Sequence, residues 1–290
     1  MKMFLIDIFE KFNIESTQLN VIAVKSLIAA MISRNICYKE KQRLVFDSQL
    51  FMECWNVYCA CLNYFDPNYN RKTDLSSFFK YIIDYRLLNK QVNFHALFCP
   101  GYTKNGYKSY LGNTTMWKLK ALYEIKKMLK SNGIDLSMTC YYSDVFLENC
   151  NSILEPNWKE QLDYNRELFH IEGEKYFECK FVKNASDISI FSDKKSLEGY
   201  VDEDIINQIP KTTYDAFVKG NKRFYTLMGF SEEQMKYRND RLITMYRMFS
   251  NYLNLQSNSV FLPMENMYER ENIFSENGTC TMYLKLKKVR

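Results

Sequence analysis

Apolar and polar positions follow three successive patterns between residues 92 and 144. A short apolar run at 94–98 enters a polar loop, Cys99–Gly112, that is too rich in Gly to be regular. A helix is predicted next, because six apolar residues recur every three or four positions: Met116, Leu119, Leu122, Ile125, Met128 and Leu129. Gly133 should end this helix with a left-handed cap, and 134–142 is typical of a second strand. Strand, loop, helix and strand in this order predict the βαβ crossover of a parallel sheet.

Ligands of such sheets bind beyond the carboxyl ends of the strands, which places the candidate site between the Cys99–Gly112 loop and the end of the second strand. In the loop, Lys104 and Lys108 with Asn105 and glycine N–H groups such as that of Gly101 would hold a phosphate or carboxylate at the helix N-terminus. A solvated surface loop is the alternative. Asp144 ends the second strand and would orient an amine or accept a proton, or simply form a turn.

The remaining pattern predicts helices on both sides of this unit. Residues 1–65 look helical, and the turn that begins at Asp66 marks a boundary between a helical N-terminal extension, 1–66, and a Rossmann-like catalytic domain, 67–290. The fold class is therefore α/β, with a mostly parallel sheet and flanking helices. Further strands are expected at 176–182 and near the C-terminus. The apolar face of the helix near residues 21–32 suits a packing or homodimer layer better than a DNA reader.

Charge and composition narrow the function classes. The net charge of +5 and the pI near 8.5 fall short of a dedicated nucleic-acid binder, which leaves an anionic substrate or a transient tRNA contact. Five lysines on the predicted crossover helix favour a solvated face over an RNA platform. They are Lys118, Lys120, Lys126, Lys127 and Lys130.

Metal, cofactor and membrane classes are disfavoured by what the chain lacks. Cys54, Cys59 and Cys61 lie close together, but neither of the two histidines is nearby, so no metal site is expected. No phosphate-binding glycine loop, zinc motif or nucleophile elbow occurs, and we expect no cofactor. Nine cysteines without regular spacing, and an N-terminal apolar run too short for a membrane span, indicate a cytoplasmic protein with reduced thiols.

The motifs around the loop occur in a recognisable order. They are Phe98-Cys99-Pro100, Lys104-Asn105, Leu111-Gly112, Lys120-Ala121-Leu122 and Tyr142-Ser143-Asp144. This order resembles the pyoverdine/dityrosine biosynthesis family, which includes the isocyanide synthases. The resemblance implies that the amine of an amino acid condenses with a sugar phosphate such as ribulose 5-phosphate and leaves an isocyanide. Lys104, Tyr142 and Asp144 would be catalytic, Ser143 would contact substrate, and Arg241 would pair with the amino-acid carboxylate.

A second set of motifs lies nearer the C-terminus. It consists of Tyr252-Leu253-Asn254-Leu255-Gln256, Tyr268 and a closing strand to Lys288. This pattern is similar to the tRNA-dependent cyclodipeptide synthases, which are also Rossmann-like. Gly101 stands where that family has its nucleophilic Ser, and Gln256 stands in place of a carboxylate. The resemblance implies aminoacyl-tRNA as a partner and substrate contacts from Tyr252 and Gln256.

Together these patterns predict an amino-acid-modifying enzyme of specialised metabolism. The first expectation is an isocyanide-synthase-like reaction between an amino acid and a phosphorylated small molecule. The alternatives are an aminoacyl-tRNA-dependent, cyclodipeptide-synthase-like transferase and a non-catalytic binding or effector protein.

Overall fold

The computed structural model describes residues 2–40, 43–62, 74–98, 113–146, 158–192, 200–227, 229–264 and 271–282. Within the part before the central sheet, the elements are α1 (Lys2–Lys11), α2 (Gln18–Ser33), β1 (Cys37–Glu40), β2 (Arg43–Phe46), α3 (Ser48–Leu62) and α4 (Leu75–Leu88). The elements that form and cover the sheet are β3 (Asn93–Phe98), α5 (Asn113–Ser131), β4 (Ser137–Tyr142), α6 (Trp158–Glu174), β5 (Val182–Asn184), α7 (Ser189–Ser192), α8 (Glu203–Asn207), α9 (Lys211–Leu227), α10 (Glu232–Leu255), β6 (Ser259–Pro263) and α11 (Glu271–Ser275).

The central sheet has four parallel strands in the order β5-β4-β3-β6. Helix α5 connects β3 to β4, and α6 connects β4 to β5, so the predicted βαβ crossover is confirmed. Five consecutive side chains at the end of β3 and of β4 are buried, as expected where helices cover both faces of a parallel sheet. The chain therefore has a Rossmann-like α/β fold.

Alternation along the strands separates two hydrophobic cores, one on each face of the sheet. Phe98 and Tyr142 belong to the core shared with helices α1–α6. Leu97, Tyr141 and Phe261 belong to the other core, which is built mainly on the long helix α10. Neighbouring residues at a strand end therefore pack into different cores, on opposite faces of the sheet.

The predicted end of α5 is confirmed by its backbone geometry, and the start of α10 is equally well defined. Gly133, after α5, has φ of 75°, the left-handed conformation that glycine adopts without steric cost. Ser231 accepts a hydrogen bond from the N–H of Gln234, whose side chain accepts one from the N–H of Ser231. This reciprocal capping box fixes the start of α10.

Three segments differ from the sequence-based expectation. The stretch expected to be entirely helical contains the antiparallel hairpin β1-β2, in which Tyr38 pairs with Val45. The third strand is shorter and later than 176–182, because a 3-10 turn occupies Cys179–Phe181 and β5 begins at Val182. Near the C-terminus, Thr281 forms a single parallel bridge to Phe261 on the edge strand β6. The rest of the predicted closing strand, from residue 283, lies outside the described residues.

The predicted boundary between residues 66 and 67 also lies outside the described residues. On either side of it, the apolar side chains of α2, α3 and α4 join the same core as β3 and β4. The division into an extension and a catalytic domain stays a prediction.

Gly173, in the last turn of α6, permits a close contact between this helix and β5. A Cβ atom at this position would lie 2.8 Å from Cγ1 of Val182. We predict that Gly173→Ala lowers the free energy of unfolding by about 1–2 kcal/mol, because overpacking outweighs the gain in helix propensity. Urea unfolding of Gly173→Ala, Val182→Ala and the double variant measures this. Gly173→Ala should cost little or no stability once Val182 has been replaced by Ala, because the clashing methyl group is gone. Additive effects of the two substitutions would contradict the steric explanation.

Candidate functional site

The carboxyl edge of the sheet, formed by Phe98, Tyr142, Asn184 and Pro263, presents the residues that the sequence singled out. The N–H of Ser143 donates a hydrogen bond to the carbonyl of Phe98 at 3.0 Å, which extends the strand pairing by one residue. Ser143 is completely buried, and its hydroxyl has no hydrogen-bond partner among the described residues. A buried hydroxyl of this kind is available to a ligand at the edge.

Asp144 is almost completely buried directly after Ser143. Its carboxylate accepts hydrogen bonds from the N–H of Val145 at 2.9 Å, from the N–H of Ser186 at 3.0 Å and from the Ser186 hydroxyl. Burial raises the pKa of the Asp144 carboxyl, and the hydrogen bonds from Ser186 oppose that shift. These contacts connect the segment after β4 to the segment after β5, so Asp144 positions the two strand ends relative to each other. Proton transfer by Asp144 stays a prediction.

Tyr142 lies in an aromatic cluster beneath the edge. Its ring centroid is 5.5 Å from that of Phe169 on α6, and Phe169 is 5.3 Å from Phe98. Tyr142 has no exposed surface. The predicted catalytic use of this residue stays a prediction, and its ring supports the floor of the candidate site.

Arg241 lies on α10 beyond the carboxyl edge. The helix reaches the level of the edge near Tyr246, whose ring stacks on Phe146 with the centroids 4.9 Å apart. Arg241 is five residues earlier, or about 7 Å further along the helix axis. It is 8% exposed, and its guanidinium lies 5.6 Å from the ring of Tyr237. Its position is compatible with the proposed contact to a substrate carboxylate.

Tyr252 and Gln256 lie apart from these residues. Gln256 caps the C-terminus of α10, just before β6 starts at the opposite, amino edge of the sheet. The Tyr252 hydroxyl lies 3.5 Å from the Tyr141 hydroxyl, on the face of the sheet covered by α10. Tyr141 in turn lies 3.4 Å from Nδ1 of His95. The structure therefore places Tyr252 in a partly buried polar chain with Tyr141 and His95, and its role as a substrate contact stays a prediction.

Four predicted site residues lie outside the described residues: Gly101, Lys104, Asn105 and Lys108. Their roles remain those that the sequence predicts.

Two residues at the edge were missed by the sequence interpretation. Ser186 follows β5 directly, and only its contact with Asp144 shows that it connects two strand ends. Asn165 on α6 is completely buried, and neither its amide oxygen nor its amide nitrogen has a partner among the described residues. The one available signal was a polar residue in the seam Leu162, Asn165 and Phe169, which has helical spacing.

A basic, aromatic surface lies on α5 and on the turn before β5. Lys126 and Lys180 place their ammonium groups 5.3 and 4.9 Å from the centroid of the Phe181 ring. Lys127 lies 5.5 Å from the ring of Tyr123, which packs on Tyr176. Helix α5 carries five lysines and one glutamate, so this surface concentrates positive charge beside half-buried rings.

Among the described residues, no group of three or more His, Cys, Asp or Glu side chains is arranged to bind a metal ion. Within the described ranges, the helices are too short or too polar to cross a bilayer.

Comparison with known proteins gives a likeness of structure but not of sequence family. No protein-family model matches the chain, and no curated protein matches it. Among solved structures, the CDPS (cyclodipeptide synthase) from Staphylococcus haemolyticus is similar, with a TM-score of 0.42 and 12% sequence identity. The match covers 68% of this chain and 92% of that chain. Likeness at this level assigns neither a family nor an activity.

Proposed function

We propose that the chain is an aminoacyl transferase that takes its amino acid from aminoacyl-tRNA and acts at the carboxyl edge of the sheet. The observation that supports this proposal is the basic, aromatic surface on α5, the helix that starts at the carboxyl edge of the sheet and carries this surface in its second half. Lysines neutralise phosphates, while aromatic rings stack on bases, and the two together suit an exposed single strand of RNA. A free amino acid would need no such surface.

The edge residues suit the acyl end of such a substrate. The unpartnered Ser143 hydroxyl offers a hydrogen bond to the aminoacyl group, and the guanidinium of Arg241 would contact an anionic part of the acceptor or donor. In the transfer, an amine or hydroxyl of the acceptor forms a new bond to the acyl carbon, the ester bond to the tRNA ribose breaks, and the proton released by the acceptor goes to the ribose oxygen. Asp144 positions the chain around this step through Ser186.

Product analysis by mass spectrometry tests the proposal. The purified protein is incubated in one reaction with pooled aminoacyl-tRNAs, and in another with free amino acids, ribulose 5-phosphate and a tetrazine trap for isocyanides. We expect a new aminoacyl product in the first reaction alone. A trapped isocyanide in the second would instead support the isocyanide-synthase expectation. No product in either reaction would overturn the enzymatic proposal in favour of a binding or effector protein.

The basic surface makes a separate prediction about binding. Lys120 and Lys127 are exposed and lie two turns apart on one side of α5. Substituting both with Gln should weaken tRNA binding by about tenfold and lower the dependence of log K on log salt by about one to two, because two phosphate contacts are lost. Filter binding at several salt concentrations measures both quantities. The exposed Lys25 on α2 provides the matched control, and an equal effect of Lys25→Gln would contradict a specific surface.

A further inference from the structure

The inward face of α6 contains a polar residue where the pattern requires an apolar one. Leu162, Asn165, Phe169 and Gly173 are buried at spacings of three and four, and together they form the seam that packs on the sheet. Asn165 has no exposed surface, and both polar atoms of its carboxamide are without a hydrogen-bond partner among the described residues. A carboxamide offers two donors and an acceptor oxygen with two lone pairs, so all of this capacity is unused.

The direction of α6 places Asn165 just beyond the carboxyl edge. Gly173 packs against Val182, at the start of β5. One turn earlier, Nε2 of His170 lies 3.0 Å from Oδ1 of Asn184, the last residue of β5. Another turn towards the N-terminus of α6 therefore brings the chain past the end of the strand, to Asn165.

The face of α6 that carries Asn165 packs beneath the ends of two strands. Phe169, one turn further along the same face, packs on the rings of Phe98 and Tyr142, the last residues of β3 and β4. Ligands of parallel α/β sheets bind above these strand ends. Leaving a buried donor and acceptor without partners disfavours folding, whereas a leucine of similar volume would not. A ligand that pairs with the Asn165 carboxamide would offset this cost.

We propose that Asn165 recognises the side chain of the amino-acid substrate, and that this side chain carries a primary carboxamide, as in glutamine. A carboxamide presents one donor and one acceptor on the same edge, so two of them pair through two hydrogen bonds. A carboxylate has no donor for the Asn165 oxygen, and an ammonium has no acceptor for the Asn165 nitrogen. The aromatic rings beneath accommodate the methylene groups of the substrate.

The charged side chains near Asn165 are compatible with a substrate whose side chain is neutral. Arg166 donates from Nη2 to Oδ1 of Asp163 at 2.8 Å. Asp144 receives its hydrogen bonds from Val145 and Ser186. The carboxylates of Asp163 and Asp144 therefore both have partners within the protein. This inference rests on the proposed function only in one respect, that the amino acid arrives on tRNA. The side chain itself can be recognised on the free amino acid as well.

Ligand binding by the full chain tests the inference without any transfer reaction. Calorimetry and thermal unfolding are measured with L-glutamine, L-glutamate, L-leucine and adenosine, because the adenine edge also pairs with Asn. We expect glutamine to bind and to raise the unfolding temperature, and glutamate and leucine to do neither. In Asn165→Leu, glutamine should bind at least about tenfold more weakly, while the unliganded unfolding temperature is equal or higher.

Asn221→Leu is the matched control, since Asn221 is also buried but donates to Oδ1 of Asn239 at 2.9 Å. This variant should unfold at a lower temperature and still bind glutamine. A lower unfolding temperature of Asn165→Leu with unchanged glutamine binding would overturn the inference, as would failure of glutamine to bind the wild type. Adenosine binding that depends on Asn165 would overturn the inference and show that Asn165 recognises a nucleobase and not an amino-acid side chain. Glutamine binding without any tRNA-dependent product would leave the inference standing and remove the proposed function.

Discussion

Acidification from pH 7 to pH 4 should lower the free energy of unfolding by about 3 kcal/mol through His95 alone. Burial lowers the pKa of His95 from its usual 6.5 to about 4, and the positive charge of Lys183 acts in the same direction. Between pH 6.5 and pH 4 the unfolded chain binds a proton at His95 and the folded chain does not. The stability from neutral His95 is therefore complete above pH 6.5 and is lost as the pH falls through 4.

The comparison of wild type with His95→Leu isolates this contribution. Urea unfolding at pH 7 and at pH 4.5 gives the loss of stability for each protein, and the loss should be smaller by about 2–3 kcal/mol in the variant. Carboxylates titrate equally in both proteins, so their effect cancels. The second histidine, His170, is partly exposed and serves as the control through His170→Asn. If wild type and His95→Leu lose the same stability on acidification, the buried neutral His95 is not the cause.

The parts of the fold that were predicted correctly are those with a local signal. The crossover helix α5 has a regular apolar repeat and a glycine at its end, and Gly133 adopts the left-handed conformation that such an end requires. The capping box at Ser231 is equally local. In both cases a few neighbouring residues determine the backbone, so no knowledge of the tertiary structure is needed.

The missed elements lack such a signal. Strands β1 and β2 have four residues each and are mostly exposed or partly exposed, so their side chains show no clean alternation. Strand β5 has three residues, and its strand geometry depends on pairing with Cys140, Tyr141 and Tyr142 of β4. Short strands of this kind are stabilised by their neighbours, which the local sequence does not reveal.

The candidate site was only partly predictable for a similar reason. Ser143 and Asp144 follow the end of a recognisable strand, so their place at the carboxyl edge could be predicted. The burial of Asn165 depends on how α6 packs, and the distance of Gln256 from the edge depends on the direction of α10. Direction and packing are properties of the whole fold. A sequence pattern therefore picks out individual residues more reliably than it predicts which of them lie together.

The ion pair between Arg34 and Asp84 carries the second large effect. Nε and Nη2 of Arg34 donate to the two carboxylate oxygens of Asp84 at 2.6 and 2.7 Å, and Asp84 is 3% exposed. The pKa of Arg34 is raised, chiefly by this hydrogen bonding to Asp84. Arg34 follows α2, whereas Asp84 lies on α4, which leads into β3. The pair therefore fastens the N-terminal helices to the helix that precedes the central strand.

Arg34→Ala should lower the free energy of unfolding by about 2–3 kcal/mol, because the Asp84 carboxylate would stay buried without its cation. The value is below that of a fully buried pair, since the Arg34 side chain is 35% exposed and water already screens it. Urea unfolding measures the loss, and the double variant Arg34→Leu with Asp84→Leu should recover most of it by removing both charges. Lys180→Ala, which breaks the exposed pair of Lys180 with Glu178, should leave stability unchanged. Equal losses of stability in Arg34→Ala and Lys180→Ala would show that burial of Asp84 does not increase the contribution of its ion pair to the free energy of unfolding. The N-terminal helices would then be held by apolar packing alone.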